Sequence, residues 1–511
     1  MKRTTTASFV LELPLRVSPA EERKLAARLE AGRRLYNAVL GEALRRQRLI
    51  RESRCWRAAR LLTREAGRAE AFRALCRAYR FTSAALSSFG SSCKNGARWQ
   101  RMLGAHETQR IAERAFAAVE QYGFGNRGKP RFKGKGRPLH SIEGKCNAAG
   151  IRWHAETAAV EWLGLYLPAL TAPAGKDPWQ EAALVYPTKY CRIVWRMLNG
   201  RRRFYLQLVQ QGTPLPKWET GKGELGLDLG PSVLALCGQQ TAQMVALAPG
   251  VVQPWREMRV LQRKLDRSRR ATNPERFNAD GTWKKGERQQ VFSARYRKVA
   301  AGLAETERRL AAERKRSHGE LANDLLSIGK TAKIEKLSYR AWQRRFGRSS
   351  KVRGAGSFVS TLSRKAASAG GVLVELDARK LRLSQYDHPS GGYAKKPLSQ
   401  RWHVLSDGSG IVQRDIYSAL LAYCADGQGL HPSRIFEVWA DRGPALRQAG
   451  WWREQPASGE ARAFPTVKPS ERVACRRRRS GGHGRDAVAL PARGAREPGD
   501  PAGEAFGTPA L

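Results

Sequence analysis

The sequence has few acidic residues for its length. Its 511 residues include 45 Asp and Glu against 93 Lys and Arg, which gives a formal net charge of +48 at pH 7. A chain with so large an excess of one sign repels itself unless a polyanion neutralises it. Nucleic acid is the polyanion that we expect, because contacts of Lys and Arg with phosphates release counterions and supply much of the affinity. At this length we expect two or three domains.

The sequence also lacks long hydrophobic runs. No apolar stretch approaches the length of a membrane-spanning helix, and the first residues lack the apolar centre of a secretion signal. A membrane surface is the competing partner for a basic chain, and nothing in the sequence favours it. We therefore expect a soluble cytoplasmic protein without a membrane partner, associated with the nucleoid when it is bound to DNA.

Closely spaced cysteines are absent as well. The chain has eight Cys, and no two of them form a CxxC pair. This scatter argues against a disulfide framework and against a cysteine-based zinc site. The eight positions are Cys55, Cys76, Cys93, Cys146, Cys191, Cys237, Cys424 and Cys475.

The first part of the chain has the pattern of a β-structure interrupted by helices. Residues 9–17 alternate like a strand, and Ser18, Pro19 and Glu21 then predict a capping box that starts a helix. Helical spacing of apolar residues continues to about residue 120. Asn199-Gly200 between two alternating runs predicts a β-hairpin. We expect one β-structured domain from residues 1–20 and 140–215, with a helical insertion at 21–139 that ends in a basic loop.

The second part of the chain alternates strands and helices, which predicts an α/β domain at 216–425. Residues 223–238 read as two buried strands around a Gly-Pro turn, and residues 255–328 as a helical hairpin. The segment 426–511 is rich in Gly, Pro, Ala and Arg towards its end, so we expect it to be a largely disordered tail. The fold class expected for the whole chain is multidomain α/β.

Three carboxylates occur at the ends or centres of these predicted elements. Asp228 lies inside a hydrophobic strand, Glu335 at a strand end and Asp415 at a helix start. Three carboxylates cannot gather in an apolar site without cations, because repulsion and desolvation cost too much. Two Mg²⁺ ions roughly 4 Å apart would hold them and would support phosphodiester cleavage. The order strand-Asp, strand-Glu, helix-Asp is that of an RNase H-like fold.

Each carboxylate alone has an ordinary structural explanation. A single Asp in a strand is more often a turn residue or a hydrogen-bonded structural residue. Glu335 fits any strand edge, and Asp415 fits a helix N-cap or a first-turn acid. Only the three together favour a metal site.

The motifs around these residues resemble those of the TnpB proteins of insertion sequences and of the small type V CRISPR effector nucleases. GLDLG (226–230), IEKL (334–337) and QRDIYSA (413–419) resemble the three RuvC motifs of that family, and the resemblance extends over roughly residues 8–425. It implies a bilobed prokaryotic protein with a β-barrel-like wedge domain, a helical recognition insertion and an RNase H-like RuvC nuclease domain. It also implies that Asp228, Glu335 and Asp415 are catalytic ligands of two Mg²⁺ ions. The implied partners are a guide RNA and a double-stranded DNA target.

The chain departs from the family pattern in its zinc ribbon and its third motif. The ribbon region 384–412 contains no Cys, and Asp387 and Ser390 stand where the first CxxC pair would fall. His388 and His403 are too few for a convincing zinc site. We expect a degenerate remnant without zinc. Tyr417 replaces the Asn of the third motif.

The basic loop GKPRFKGKGR (128–137) is the candidate nucleic-acid contact. Its glycines permit a close approach of the backbone to phosphates, and the resemblance favours contact with guide RNA or with the guide–target duplex. The alternative is a solvated linker. The candidate residues are Lys129, Arg131, Phe132, Lys133, Lys135 and Arg137.

Three functions remain open from the sequence. The first is a Mg²⁺-dependent, RNA-guided DNA endonuclease, either a compact type V CRISPR effector or a TnpB-like protein. The second is an RNA-guided DNA-binding repressor with weak or no cleavage, which the lost cysteines and the altered third motif favour. The third is a transposase that needs no RNA, for which no residue supplies the chemistry. The sequence does not decide between a monomer and a homodimer.

Overall fold

The computed structural model describes residues 6–63, 65–134, 138–215, 219–284, 290–397, 399–426, 429–454 and 469–470. It has the mixed α/β composition that the sequence predicts, with several small sheets. Its buried apolar side chains include one cluster drawn from residues 11–208 and another from residues 235–446. Among the helices of the described ranges, none is both long and apolar enough to span a membrane.

The first part of the chain consists of seven strands and six helices. In chain order they are β1 (Ser8–Pro14), α1 (Pro19–Glu52), α2 (Arg54–Leu61), α3 (Arg68–Ala78), α4 (Ser83–Asn95), α5 (Ala105–Gly123), β2 (Ser141–Glu143), β3 (Ile151–His154), β4 (Ala159–Trp162), β5 (Leu165–Pro168), α6 (Pro178–Val185), β6 (Thr188–Leu198) and β7 (Arg201–Gln211).

Local sequence signals place the start of α1 and the turn of the long hairpin. Ser18 and Glu21 form the predicted capping box, with Pro19 in the first turn of the helix. Asn199 and Gly200 join β6 to β7 with φ angles of 50° and 74°. Two positive φ angles in succession are the geometry of the hairpin turn that Asn-Gly favours. Both features were predicted from the sequence and are present.

The strands of the first part form two separate sheets. One has the order β1-β7-β6-β2 and the other β3-β4-β5. A single bridge between Leu15 and Ala169 joins a residue after β1 to a residue after β5. The described residues therefore contain no closed barrel, and the expected β-barrel-like form is corrected to two small antiparallel sheets. The physical reason is length, since β2 to β5 have only three or four residues each.

The second part of the chain alternates strands and helices as predicted. Its elements are β8 (Gly223–Leu229), β9 (Val233–Cys237), β10 (Ala242–Ala246), α7 (Trp255–Thr272), α8 (Ala294–Ile328), β11 (Gly329–Glu335), α9 (Tyr339–Arg345), α10 (Gly347–Arg353), α11 (Ala355–Ser368), β12 (Val372–Leu376), α12 (Ala378–Leu381), β13 (Tyr386–Asp387), β14 (Gly392–Tyr393), β15 (Trp402–Val404), β16 (Ile411–Gln413), α13 (Arg414–Cys424), α14 (Pro432–Gln448) and β17 (Trp452–Arg453).

The largest sheet of this part has the order β10-β9-β8-β11-β12. Strands β8, β9 and β10 pair antiparallel, whereas β11 pairs parallel with both β8 and β12. The central strand β8 is almost continuously apolar because the sheet covers both of its edges and α13 packs against its face. This arrangement places the ends of β8 and β11 beside the start of α13.

The prediction that the disordered tail begins at residue 426 is wrong for residues 429–454. Helix α14 and strand β17 lie in this segment, and Ile435, Trp439 and Leu446 are buried. The helical spacing of these apolar residues was obscured by Gly443 and Pro444. A side chain at Gly443 would collide with the ring of Trp452, so this glycine permits the close packing of α14 on β17. Most of the remaining tail lies outside the described residues.

Candidate carboxylate site

Strand register brings Asp228 and Glu335 together. The parallel pairing of β8 with β11 aligns Leu227 with Ile334, so the next residues, Asp228 and Glu335, are neighbours across the two strands. Neighbouring strands lie about 4.8 Å apart, and laterally paired residues of parallel strands share a face of the sheet. Residues that are 107 positions apart in sequence thus present their carboxylates side by side.

Gly226 brings α13 onto the same face of the sheet. An added Cβ at Gly226 would overlap the carbonyl oxygen of Ala419 and the backbone nitrogen of Tyr423, so the helix backbone lies directly on this glycine. From Gly226 to Asp228 the strand advances about 6.6 Å. From Ala419 back to Asp415 the helix advances about 6 Å. The two equal steps place Asp415, in the first turn of α13, opposite Asp228.

The electrostatics agree with this placement. Burial is the main reason that the pKa of Asp228 is raised well above its usual range, and the charges of Asp415 and Glu335 raise it further. Arg414 opposes these effects without cancelling them. Within the described ranges, no group donates a hydrogen bond to Asp228. Its negative charge is therefore poorly compensated by the protein itself.

Glu335 is buried among few polar groups. Burial raises the pKa of its carboxyl, and the only opposing hydrogen bond resolved there comes from the backbone N–H of Leu383, at 3.3 Å from Oε1. Leu383 follows α12, which begins just after the neighbouring strand β12. The position of Glu335 thus depends on the segment that leads into the ribbon region.

Asp415 has cationic neighbours. Nε and Nη2 of Arg414 each lie 3.4 Å from its Oδ1, and Nη1 of Arg401 lies 3.8 Å from its Oδ2. The amide of Gln413 donates to Oδ2 at 3.4 Å, while its carbonyl caps α13 by accepting from the N–H of Ile416 at 2.8 Å. Arg414 is itself fixed by donation to the carbonyls of Pro397 and Gln400.

These residues fit Mg²⁺ in chemical type, although they do not form a ready cage. Within the described part of the chain, no three His, Cys, Asp or Glu side chains are grouped closely enough to hold one ion. Mg²⁺ prefers oxygen ligands and is usually held by one or two carboxylates with water and substrate phosphates. A carboxylate without hydrogen bonds between two further carboxylates is a donor set of this kind.

The ribbon region is organised around a buried Asp387. Its carboxylate accepts hydrogen bonds from Ser390 Oγ at 2.6 Å, Ser406 Oγ at 2.5 Å and His403 Nε2 at 2.9 Å. Burial alone would raise the pKa of Asp387, but these hydrogen bonds outweigh it and lower the pKa to about 2. Burial and the nearby Lys396 lower the pKa of His403 to about 4, so the ring is neutral at pH 7. A hydrogen-bonded acid thus joins the loops of this region.

Tyr417 connects this network to α13. Its ring stacks on that of His403 with centroids 4.8 Å apart, and its hydroxyl accepts from the backbone N–H of His388 at 2.9 Å. The His388 ring in turn lies against Trp439 of α14, with centroids 4.8 Å apart. The residue that departs from the family's third motif is therefore a buried structural contact of the ribbon region.

The basic loop lies against α1. Arg33 Nη1 and Asn37 Nδ2 each donate to the Lys133 carbonyl at 2.8 Å, and the Lys133 N–H donates to Asn37 Oδ1 at 2.9 Å. The Lys133 ammonium lies 5.3 Å from the ring centre of Tyr36. These contacts fix the loop backbone at one residue.

The other candidate residues of the loop differ in exposure and in description. Phe132 is 58% exposed, so it does not anchor the loop in the core. Lys129 and Arg131 are exposed and form no ion pair within the described ranges. Lys135 and Arg137 lie outside the described residues. Nothing brings the loop and the carboxylates into one described contact.

Sequence reasoning missed the network of Asp387, His403 and Tyr417 and the cations beside Asp415. The only available signal was the polar residues in the otherwise apolar runs near His403 and Gln413, which show neither metal-ligand spacing nor a known motif. Their partners come from segments up to 30 residues apart, as Asp387 and Tyr417 do.

Comparison with known proteins gives a limited likeness. No protein-family model matches the sequence, and no curated protein matches it. Among solved structures, a Cas12f1–sgRNA–target DNA complex is similar at 12% identity and a TM-score of 0.41, covering 82% of this chain and 98% of that one. A CRISPR-Cas12f ternary complex is similar at 12% identity and a TM-score of 0.25, covering 79% of this chain and 82% of that one. TM-scores below 0.5 do not establish a shared function.

Proposed function

We propose that the chain is an RNA-guided DNA endonuclease of the compact type V or TnpB-like kind. The observation that carries the proposal is the convergence of Asp228, Glu335 and Asp415 at one edge of the five-stranded sheet, where burial and mutual repulsion raise the pKa of Asp228. The strand order and the mixed parallel and antiparallel pairing support an RNase H-like RuvC domain. The net charge of +48 supports nucleic acid as the substrate.

The three carboxylates would hold two Mg²⁺ ions, which supply an activated water and stabilise the leaving oxygen in phosphodiester hydrolysis. Asp228 and Glu335 lie on neighbouring rigid strands, so their separation is fixed by the sheet. Asp415 approaches from the helix and is oriented by Gln413 and Arg414. In this proposal Arg401, whose side chain is 63% exposed, would balance the charge of a phosphate that enters the site.

A guide RNA and a double-stranded target would be the partners. The two antiparallel sheets of the first part correspond to the proposed wedge, and α1 to α5 with the basic loop to the recognition insertion. Lys129, Arg131 and Lys133 would contact phosphates, and the exposed Phe132 would offer a ring to a base. Base pairing with the guide would select the sequence, next to a short flanking motif.

A guided repressor is the second candidate, and one observation favours it. The carboxylates are not grouped closely enough to hold one ion in the described residues, and Asp415 is already near two arginines. A site of this kind would bind target DNA and cleave it slowly or not at all.

The deciding experiment uses the protein expressed with its native flanking DNA. RNA that copurifies is sequenced, and the complex is incubated with Mg²⁺ and a target with randomised flanks. The test variant is Asp228→Ala, and the matched control is Asp266→Ala, which removes an exposed acid of α7. Cleavage by the wild type and the control, but not by Asp228→Ala, supports the nuclease. Target binding without cleavage supports the repressor, and absence of copurifying RNA overturns both.

A further inference from the structure

A cavity of about 270 Å³ lies between the first turns of α7 and helix α10, away from the three carboxylates in sequence. Its walls include four cationic side chains, one tryptophan and two glutamines, and no acidic residue. The lining residues used below are Trp255, Arg256, Arg259, Gln262, Arg348 and Lys351.

The four cations are uncompensated. Within the described ranges, Arg256, Arg259, Arg348 and Lys351 form no ion pair and no side-chain hydrogen bond. Elsewhere on the long helices arginines are paired with acids three or four residues away, as Arg308 is with Glu305. Like charges gathered around one cavity repel each other, so the cavity has a standing preference for an anion.

Trp255 supplies an aromatic face to the same cavity. The residue is 39% exposed although tryptophan is mostly buried in folded chains. The Arg348 guanidinium and the Lys351 ammonium lie 5.9 Å and 6.0 Å from its ring centre. These distances are at the outer limit of about 6 Å for a cation–π contact, so the ring is not tightly covered.

The cavity wall is held in place by contacts outside the cavity. Nη1 of Arg314, on α8, donates to the Lys351 carbonyl at 3.0 Å, and Nε2 of the buried His318 donates to the Arg353 carbonyl at 2.8 Å. The Arg353 side chain donates in turn to the Ala248 carbonyl, just before α7. The α10 segment is therefore fixed to α8 and to the approach to α7, and the cavity exists before any ligand arrives.

We propose that this cavity binds one unpaired nucleotide of a bound nucleic-acid strand, with the phosphate held by the four cations and the base stacked on Trp255. Unpaired bases combine with aromatic side chains and cationic grooves in this way, whereas a paired base has no free face. The Gln262 amide can donate to and accept from a base edge. The inference rests on nucleic acid being the ligand, and it does not depend on cleavage at Asp228.

The test measures binding of the full chain to a uridine-rich single-stranded RNA and to a thymidine-rich single-stranded DNA, each carrying photoreactive thio-substituted bases. Trp255→Ala is expected to weaken binding of the occupying strand about 5- to 150-fold, the range that corresponds to the usual value of one base–aromatic stack. Trp255→Phe keeps a ring and is expected to retain most of the affinity. Cross-links should map to the peptide that contains Trp255.

The charge contribution is tested separately through the salt dependence. The double variant Arg348→Gln with Lys351→Gln is expected to reduce the slope of log K against log[salt] by about 1.4, or 0.7 for each lost phosphate contact on a single strand. The matched control, Arg23→Gln with Lys24→Gln, removes two exposed and unpaired cations from α1. It should leave the cross-link at Trp255 unchanged.

The outcomes separate this inference from the proposed function. A cross-link with RNA alone assigns the cavity to the guide, and one with DNA alone assigns it to the target strand; either supports the proposal. Binding that is unchanged in Trp255→Ala, with no cross-link near the cavity, overturns it and leaves the nuclease proposal intact. If the full chain binds neither oligonucleotide, both proposals fail.

Discussion

The Tyr417 hydroxyl accepts a hydrogen bond from the backbone N–H of His388 at 2.9 Å and lies 2.8 Å from the Nδ1 atom of the same residue. One side chain on α13 thus fixes both the backbone and the ring of a residue that lies 29 positions earlier in the chain. The contact joins the ribbon region to the helix that carries Asp415. It makes the substitution of Tyr417 the most direct test of how this region is held.

Replacing Tyr417 with Phe should destabilise the protein by about 1–3 kcal/mol, because the N–H of His388 is left buried without an acceptor. Chemical denaturation of the full chain measures the change. Tyr393→Phe is the matched control, since this exposed hydroxyl makes no hydrogen bond within the described residues. Equal stability of Tyr417→Phe and the wild type would show that the contact does not hold the region.

The stability of the chain should fall as the pH decreases from about 6.5 to about 4. His403 has a lowered pKa in the folded chain, so in this window the unfolded chain binds a proton that the folded chain does not. The contribution is fully present above the unfolded value and is lost as the pH approaches the folded value.

The variant His403→Gln should lower stability at pH 7 and make the unfolding midpoint less dependent on pH between 6.5 and 4. Thermal unfolding across this range measures both effects. A pH dependence identical to that of the wild type would assign the acid sensitivity to other groups.

Asp228→Asn should raise the thermal midpoint in the presence of a chelator, by an amount on the order of a few degrees. The neutral amide removes a buried charge that Asp415 and Glu335 repel. Added Mg²⁺ should stabilise the wild type by mass action and leave the variant unchanged.

The control for this comparison is Asp266→Asn, which neutralises an acid of α7 paired with Arg269 and Arg270. It should not gain stability in chelator, and it should keep the response to Mg²⁺. A lower midpoint for Asp228→Asn in chelator would mean that its carboxylate is compensated by groups inside the protein.

Gly226→Ala should destabilise the protein by about 1–3 kcal/mol, the usual cost of overpacking, and should slow any Mg²⁺-dependent cleavage. The added methyl group has to displace α13, because it would overlap the backbone at Ala419 and Tyr423. That displacement moves Asp415 away from Asp228.

Gly302→Ala is the matched control, because no atom lies within 4 Å of its added methyl group on α8. It should stabilise the protein by about 0.5–1 kcal/mol, as alanine does in an exposed helix. Destabilisation by both variants would show that the effect at Gly226 is not specific to the contact with α13.

Much of the secondary structure could be predicted because its causes are local. The capping box of Ser18 and Glu21, the Asn199-Gly200 turn and the helical start at Asp415 each depend on residues within one or two turns. The site residues could be nominated for a similar reason, since a charged residue in an apolar run is visible in the sequence. Their roles as metal ligands remain a prediction.

The barrel and the tail were predicted incorrectly because their causes are not local. Strand pairing decides whether β-strands close into a barrel, and the short β2 to β5 leave two separate sheets. Helix α14 forms in a segment with unfavourable residues because Trp439 packs against Tyr417 and Trp452. Burial of this large ring outweighs a weak local preference.

The sequence by itself determined that this protein is strongly basic, that it alternates strands and helices in its second part, and that Asp228 is a charge in an apolar strand. Tertiary structure alone decided that Asp228 faces Glu335 and Asp415, because parallel register and the absence of a side chain at Gly226 set those positions. It also decided that Asp387, His403 and Tyr417 form one network and that four cations share a cavity with Trp255. Contacts between distant segments depend on packing geometry, which no local pattern of residues encodes.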